Sequence, residues 1–168
     1  THFNHGNILN FVNYEGEKVR PEFSSVEDMN ESMIKNWNAV VTPMDHVYHL
    51  GDVYFGHGKD SSGVRNILSR LNGHKRLILG NHDDGKDPIL HQFFQKIMMW
   101  RMFPELGVLL THVPIHESTL HEKAKIKYNF HGHIHRNANP SPVHLNCSVE
   151  MQQYTPKTIE ELLTQMPR

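Results

Sequence analysis

The sequence of 168 residues has a single cysteine, no long apolar run and no excess of either charge. With Cys147 as the only cysteine, an internal disulfide and a cysteine-based zinc finger are both excluded. The longest purely apolar runs, such as Ile97 to Trp100, are far shorter than the roughly 20 residues that cross a bilayer. We therefore expect a protein of the reducing cytoplasm that has no membrane partner.

The charge balance and the spacing of polar residues argue against several further classes of protein. Lysine and arginine number 17 against 18 aspartates and glutamates, so the chain lacks the positive field that attracts nucleic acids. Gly58-Lys59 lacks the other residues of a phosphate-binding Walker loop, and His116 and His121 are spaced too widely for a zinc protease helix. Nucleic acid is therefore less favoured as a partner than a small molecule, and nothing in the sequence specifies an oligomeric state.

The chain is predicted to form one domain, because its length suits one and no repeat or linker divides it. Apolar residues at helical spacing predict amphipathic helices, the first of them capped by Ser25, at residues 25–41, 61–72, 88–97 and 158–166. Apolar stretches rich in β-formers predict strands at residues 46–50, 75–79, 96–103, 107–112, 128–133 and 143–151. This alternation predicts a layered α/β fold.

Histidine is unusually frequent, with 15 residues, and several histidines follow predicted strands. The strands run into Gly51-Asp52, Gly80-Asn81-His82-Asp83, His112 and His131-Gly132-His133-Ile134-His135. Taken singly, each motif has a plain explanation as a turn or as a packed histidine. Together they place imidazole, carboxylate and amide groups at the ends of strands, where open α/β sheets form their sites. The pattern therefore predicts a metal site.

In order, the motifs resemble those of the calcineurin-like metallophosphoesterases, above all their small bacterial and bacteriophage members. That family carries Asp-x-His, Gly-Asp, Gly-Asn-His-Asp/Glu, His and Gly-His-x-His, and the resemblance extends from Thr1-His2 to His135. It implies a layered α/β/β/α sandwich with mixed sheets. The first aspartate of the family pattern would precede Thr1, so we expect residues 1–168 to be a single metallophosphoesterase domain that is truncated at its N-terminus.

The resemblance also implies which residues hold two divalent cations. The first cation would be held by the absent aspartate together with His2, Asp52 and His135, and the second by Asp52, Asn81, His112 and His133. Nitrogen and oxygen ligands without thiolate suit Mn, Fe, Zn or Ni, of which Mn is favoured. His82, oriented by Asp83, would act as the catalytic acid. Four further residues are candidates for contact with the substrate: His5, Asn7, His57 and His116.

These implied roles lead to a functional hypothesis. The protein is expected to be an enzyme that hydrolyses phosphodiester or phosphomonoester bonds in a small molecule or nucleotide through a dinuclear metal centre. Two alternatives stay open: a nuclease that acts on DNA or RNA, and a binding module on the same fold with impaired catalysis. Without the first aspartate, the chain is expected to bind its first cation weakly and to have reduced activity.

Overall fold

The computed structural model describes residues 1–56, 61–120 and 122–167, which form two β-sheets with helices packed around them. The first sheet has the order β1-β2-β3 and is parallel throughout. Its strands are β1 (His46–His49), β2 (His74–Ile78) and β3 (Lys96–Met98). The second sheet has the order β4-β5-β6-β7, with β4 antiparallel to β5 and the other pairs parallel. Its strands are β4 (Trp100–Phe103), β5 (Val108–Thr111), β6 (Tyr128–His131) and β7 (His144–Asn146).

Four α-helices lie in the described ranges: α1 (Val26–Val40), α2 (Ser61–Ser69), α3 (Pro88–Phe93) and α4 (Ile159–Leu163). The Ser25 hydroxyl caps α1 by accepting a hydrogen bond from the Asp28 amide, as predicted. Thr158 and Glu161 form a capping box at the start of α4. Parallel strands joined through helices confirm the predicted α/β class. None of the helices in the described ranges is long and apolar enough to cross a bilayer.

Three predicted boundaries are wrong by several residues. The strand predicted over residues 143–151 ends at Asn146, and the other two errors lie where the chain passes from the first sheet to the second. The helix predicted over residues 88–97 ends at Phe93, because Lys96–Met98 forms β3 beside β2. The single strand predicted over residues 96–103 is divided at Met99 between the two sheets. Pairing with a distant strand therefore overrides the local helical pattern, as tertiary contacts commonly do.

The core consists of two apolar clusters, one in contact with each sheet. The larger joins Met29, Met33 and Trp37 of α1 to α2 and β2. The smaller joins Ile78, Val108, Leu110, Phe130, Leu145, Leu162 and Met166. Each fully buried side chain of this size stabilises the fold by about 1.5–3 kcal/mol relative to an exposed one. The two clusters hold the sheets in place and so fix the loops that follow β1, β2, β5 and β6.

Candidate metal centre

The loops that follow β1 and β2 touch each other, and two glycines make this contact possible. A Cβ atom on Gly51 would lie 2.6 Å from the Gly80 Cα and 2.5 Å from Nδ1 of His112. A Cβ atom on Gly80 would lie 2.2 Å from Oδ1 of Asp52. Gly51 also has a φ of +93°, which glycine adopts without steric cost. The glycines therefore bring Asp52 against the second loop and against His112.

The Asp83 carboxylate links the two loops by accepting hydrogen bonds from their backbone amides. Its Oδ2 accepts from the amides of Asp52 and Gly80, both at 2.8 Å, and its Oδ1 accepts from the Val53 amide at 2.9 Å. The backbone amide of His82 in turn donates to Oδ1 of Asp52 at 2.9 Å. These bonds give Asp83 a part in placing Asp52, a role that the sequence did not suggest. Its predicted role in orienting His82 stays a prediction.

Four ligand-type atoms converge at His112, and they belong to the four residues predicted to hold the second cation. His112 Nε2 lies 2.9 Å from the Asn81 Oδ1, 3.2 Å from the Asp52 Oδ2 and 3.2 Å from the His133 Nδ1. His112 Nδ1 donates to the Leu50 carbonyl at 2.6 Å, so Nε2 presents a lone pair to the other atoms. Asp52, His112 and His133 also meet the geometric requirement for holding a metal ion.

His2 contacts the same Asp52 oxygen as His112. Its Nε2 is 3.4 Å from the Asp52 Oδ2, so two imidazoles share this one carboxylate oxygen. The His2 ring is 5.2 Å from the His135 ring, centroid to centroid. Burial lowers the pKa of His2 to about 3, although its hydrogen bond to Asp52 acts in the opposite direction. His2 is therefore neutral, the form of imidazole that binds metals.

Four of the six predicted ligands have a left-handed backbone. The φ angles are 56° at His2, 52° at Asp52, 70° at His133 and 49° at His135. This conformation costs an ordinary residue roughly 1–2 kcal/mol, and such strain is concentrated at functional sites. Because the chain turns at His133 and His135, these two side chains reach different partners despite their separation of only two residues.

The candidates for substrate contact are not gathered in one place. His5 is buried, with its ring stacked at 4.1 Å on Phe55 and 5.4 Å from the His2 ring. Asn7 is exposed in a short 3-10 helix. His116 is also exposed, and its ring accepts from the Ser118 amide within its own turn. His57 lies outside the described residues. Among the described ring contacts His5 lies beside a predicted ligand, His2, and the substrate-binding roles of all four residues stay predictions.

The sequence reasoning missed two buried charged residues beside the site. Glu150 Oε1 accepts from Arg20 Nε at 2.8 Å and from His135 Nδ1 at 3.0 Å. The Arg20 Nη1 donates to the Thr1 carbonyl at 2.8 Å. The only sequence signal that pointed to Glu150 as a site residue was its position shortly after β7, since predicted ligands follow other strands in the same way. Burial raises the pKa of Glu150, but the His135 hydrogen bond and the Arg20 charge outweigh burial and hold that pKa well below its usual range.

A cavity of about 880 Å³ adjoins the site. Its walls include five of the six predicted ligands, all except Asn81, and apolar side chains such as Leu110, Phe130 and Leu162. Cys147 also faces this cavity, and burial raises the pKa of its thiol to about 12. The thiol is therefore protonated at neutral pH and is a poor metal ligand, in agreement with a site built from nitrogen and oxygen atoms.

Buried His131 leads to a prediction about acid stability. Burial lowers its pKa in the folded protein to about 4, against 6.5 for an unperturbed histidine. Between these values only the unfolded chain binds the proton, so the free energy of unfolding falls by about 1.4 kcal/mol per pH unit for this group as the pH falls. Urea unfolding of metal-free protein at pH 6.5, 5.5 and 4.5 should show this loss. In His131→Leu the free energy of unfolding should fall less steeply with pH, by about 1.4 kcal/mol per pH unit, the contribution of one proton. Equal slopes for the two proteins would contradict the prediction.

The comparisons with known proteins find relatives whose names carry no activity. The chain is 36% identical over 167 residues to the uncharacterized protein MJ1445 of Methanocaldococcus jannaschii, covering 95% of this chain and 84% of that protein. It is 28% identical over 165 residues to the Gene 66 protein of Mycobacterium phage L5, covering 81% and 76% respectively. The crystal structure of AQ665, a protein of unknown function from Aquifex aeolicus, matches with a TM-score of 0.74 at 27% identity, covering 98% of this chain and 95% of that one. No family model matches.

Proposed function

Because the chain belongs to the same family as the uncharacterized protein MJ1445, whose name carries no activity, we propose its function from the site itself. The protein is a metal-dependent phosphoesterase of the calcineurin-like type, with its two sheets packed as a layered α/β/β/α sandwich. It hydrolyses phosphodiester or phosphomonoester bonds in a small molecule or nucleotide. Five of the six predicted ligands lie in the loops that follow β1, β2, β5 and β6, and His2 contacts Asp52 in the first of these loops.

The observation that carries this proposal is the group of atoms around His112 Nε2. A carboxylate oxygen of Asp52, an amide oxygen of Asn81 and an imidazole nitrogen of His133 all lie within 3.2 Å of it. With the His112 proton on Nδ1, Nε2 and the two oxygens direct lone pairs at one another. Such an arrangement is repulsive unless a cation lies among the atoms, and its nitrogen and oxygen donors fit Mn, Fe, Zn or Ni.

His2, Asp52 and His135 would hold the first cation, and Asp52, Asn81, His112 and His133 the second. His2 Nε2 lies 3.4 Å from the Asp52 Oδ2, so these two groups face each other as two ligands of one cation would. Two cations would lower the pKa of a water molecule between them and neutralise charge on the phosphoryl oxygens. Mn²⁺ is the favoured ion.

His82 supplies the proton in this proposal. Its side chain is exposed, while its backbone amide is bonded to Asp52, so the residue is anchored at the site and its ring is open to a substrate. The ring lies 5.8 Å from the His2 ring, centroid to centroid. An imidazole in this position can donate a proton to the departing alkoxide or hydrogen-bond to the phosphoryl group. A protein that only bound a ligand would have no chemical use for a proton donor here.

The test is hydrolysis of a chromogenic phosphodiester, bis(p-nitrophenyl) phosphate, by purified protein loaded with Mn²⁺. We expect turnover that a chelator removes and that His112→Ala abolishes. His46→Ala is the matched control, because His46 is an exposed histidine at the opposite end of β1. Two bound equivalents of Mn²⁺ without turnover on diesters or monoesters would favour the binding module. If the protein bound oligonucleotides with an affinity that fell steeply as the salt concentration rose, the nuclease would be favoured.

A further inference from the structure

We propose that Glu150, held by Arg20, is a positioning residue that orients the two histidines of the first cation site, His2 and His135. This inference rests on the proposed function, because it concerns the residues that would hold a metal. Neither residue belongs to the motifs that identified the site. They lie 130 residues apart in sequence, and the fold brings them together beside the ligands.

The contact with His135 determines which ring nitrogen faces the site. Arg20 is always charged, and its guanidinium pairs with Glu150 at 2.8 Å, so Glu150 is a carboxylate that can only accept hydrogen bonds. The proton shared with His135, at 3.0 Å, must therefore reside on His135 Nδ1. The other nitrogen, Nε2, then carries a lone pair. A carboxylate behind a histidine fixes the tautomer and ring orientation of metal ligands in this way.

The contact with Thr1 extends the same support to His2. Arg20 Nη1 donates to the Thr1 carbonyl at 2.8 Å, which is the peptide group that leads into His2. One ion pair thus holds both the backbone beside His2 and the ring of His135. The centroids of the His2 and His135 rings are 5.2 Å apart. Both histidines have a left-handed backbone, with φ of 56° and 49°. Strained residues of this kind keep their geometry only where neighbouring contacts impose it.

A purely structural role explains the Arg20–Glu150 pair less well. Both side chains are 1% exposed, and a buried ion pair is often no more stabilising than apolar residues of similar volume. Glu150 Oε2 is buried and has no hydrogen-bond partner, so the carboxylate is not fully satisfied by the fold. The oxygen that is satisfied, Oε1, is the one that contacts His135. The pair is therefore arranged around the histidine ring.

The decisive variant is Arg20→Met combined with Glu150→Leu, which removes both contacts without leaving a buried charge unpaired. Glu22→Gln is the matched control, because Glu22 pairs with Arg136, the neighbour of His135, at a more exposed position. The first readout is the titration of metal-free protein with Mn²⁺. We expect the affinity of one site to fall about 10–100-fold, the usual cost of losing such a support, while the site around His112 keeps its affinity. That second site also reports whether the variant is folded.

The second readout is independent of metal: the tautomer of His135 from nitrogen NMR of the metal-free protein. We expect the proton on Nδ1 in the wild type and in Glu22→Gln, and a shift of the proton toward Nε2 in the double variant. Unchanged affinity at both sites together with an unchanged tautomer would overturn the positioning role and leave the proposed function intact. A wild-type protein that binds no Mn²⁺ would overturn both.

Discussion

Replacing Asp52 by asparagine is expected to remove both cations and to abolish turnover. One carboxylate oxygen, Oδ2, faces His2 Nε2 at 3.4 Å and His112 Nε2 at 3.2 Å, so the same atom serves both predicted sites. The amide of asparagine has no negative charge. Removal of a single electrostatic stabiliser lowers turnover by roughly 10²- to 10³-fold in enzymes, and the loss here should be at least as large. No other substitution of one residue is expected to affect both sites so directly.

The electrostatics of Asp52 explain why its charge cannot be replaced. Burial raises the pKa of this carboxyl, but the adjacent His112 and His2 imidazoles and a hydrogen bond from the His82 backbone outweigh burial and hold the pKa far below its usual range. Asp52 is therefore ionised at neutral pH. A buried carboxylate in this form attracts cations.

The measurement is metal content after dialysis, together with turnover on the chromogenic diester. Asp45→Asn is the matched control, since Asp45 is exposed, precedes β1, and its side chain bonds only to Thr42 of its own turn among the described hydrogen bonds. That variant should keep the metal content and the turnover of the unmodified protein. If Asp52→Asn also retained two cations at wild-type affinity, the bridging role would be wrong.

The sequence was sufficient to predict the α/β class and the residues that meet at Asp52, because both depend on local signals. Five of the six predicted ligands follow a strand closely, so a short stretch of sequence reports their place at the sheet end, whereas His2 was implied by the family resemblance. One prediction made from equally local signals failed, and one contact was not predicted at all, for a common reason. The helix predicted over residues 88–97 ends at Phe93, because Lys96–Met98 pairs with β2. Glu150 meets Arg20 across 130 residues, a contact that no local pattern encodes.

His82→Ala is expected to lower turnover by about 10²- to 10⁴-fold while both cations stay bound, since this is the range over which a positioned general acid acts. The hydrogen bond that anchors His82 to Asp52 comes from the backbone amide, which alanine retains. Metal content should therefore match that of the wild type. His91→Ala is the control, because His91 is an exposed histidine in α3.

The leaving group of the substrate distinguishes the two roles open to His82. A departing alkoxide needs a proton, whereas p-nitrophenolate leaves readily without one. If His82 is the acid, His82→Ala should lose far more activity on an alkyl phosphodiester than on the p-nitrophenyl diester. If the ring instead stabilises the phosphoryl group, the two losses should be equal, because that interaction does not depend on the group that departs. The ratio of the two losses, measured with Mn²⁺ saturating, therefore assigns the role of the ring directly.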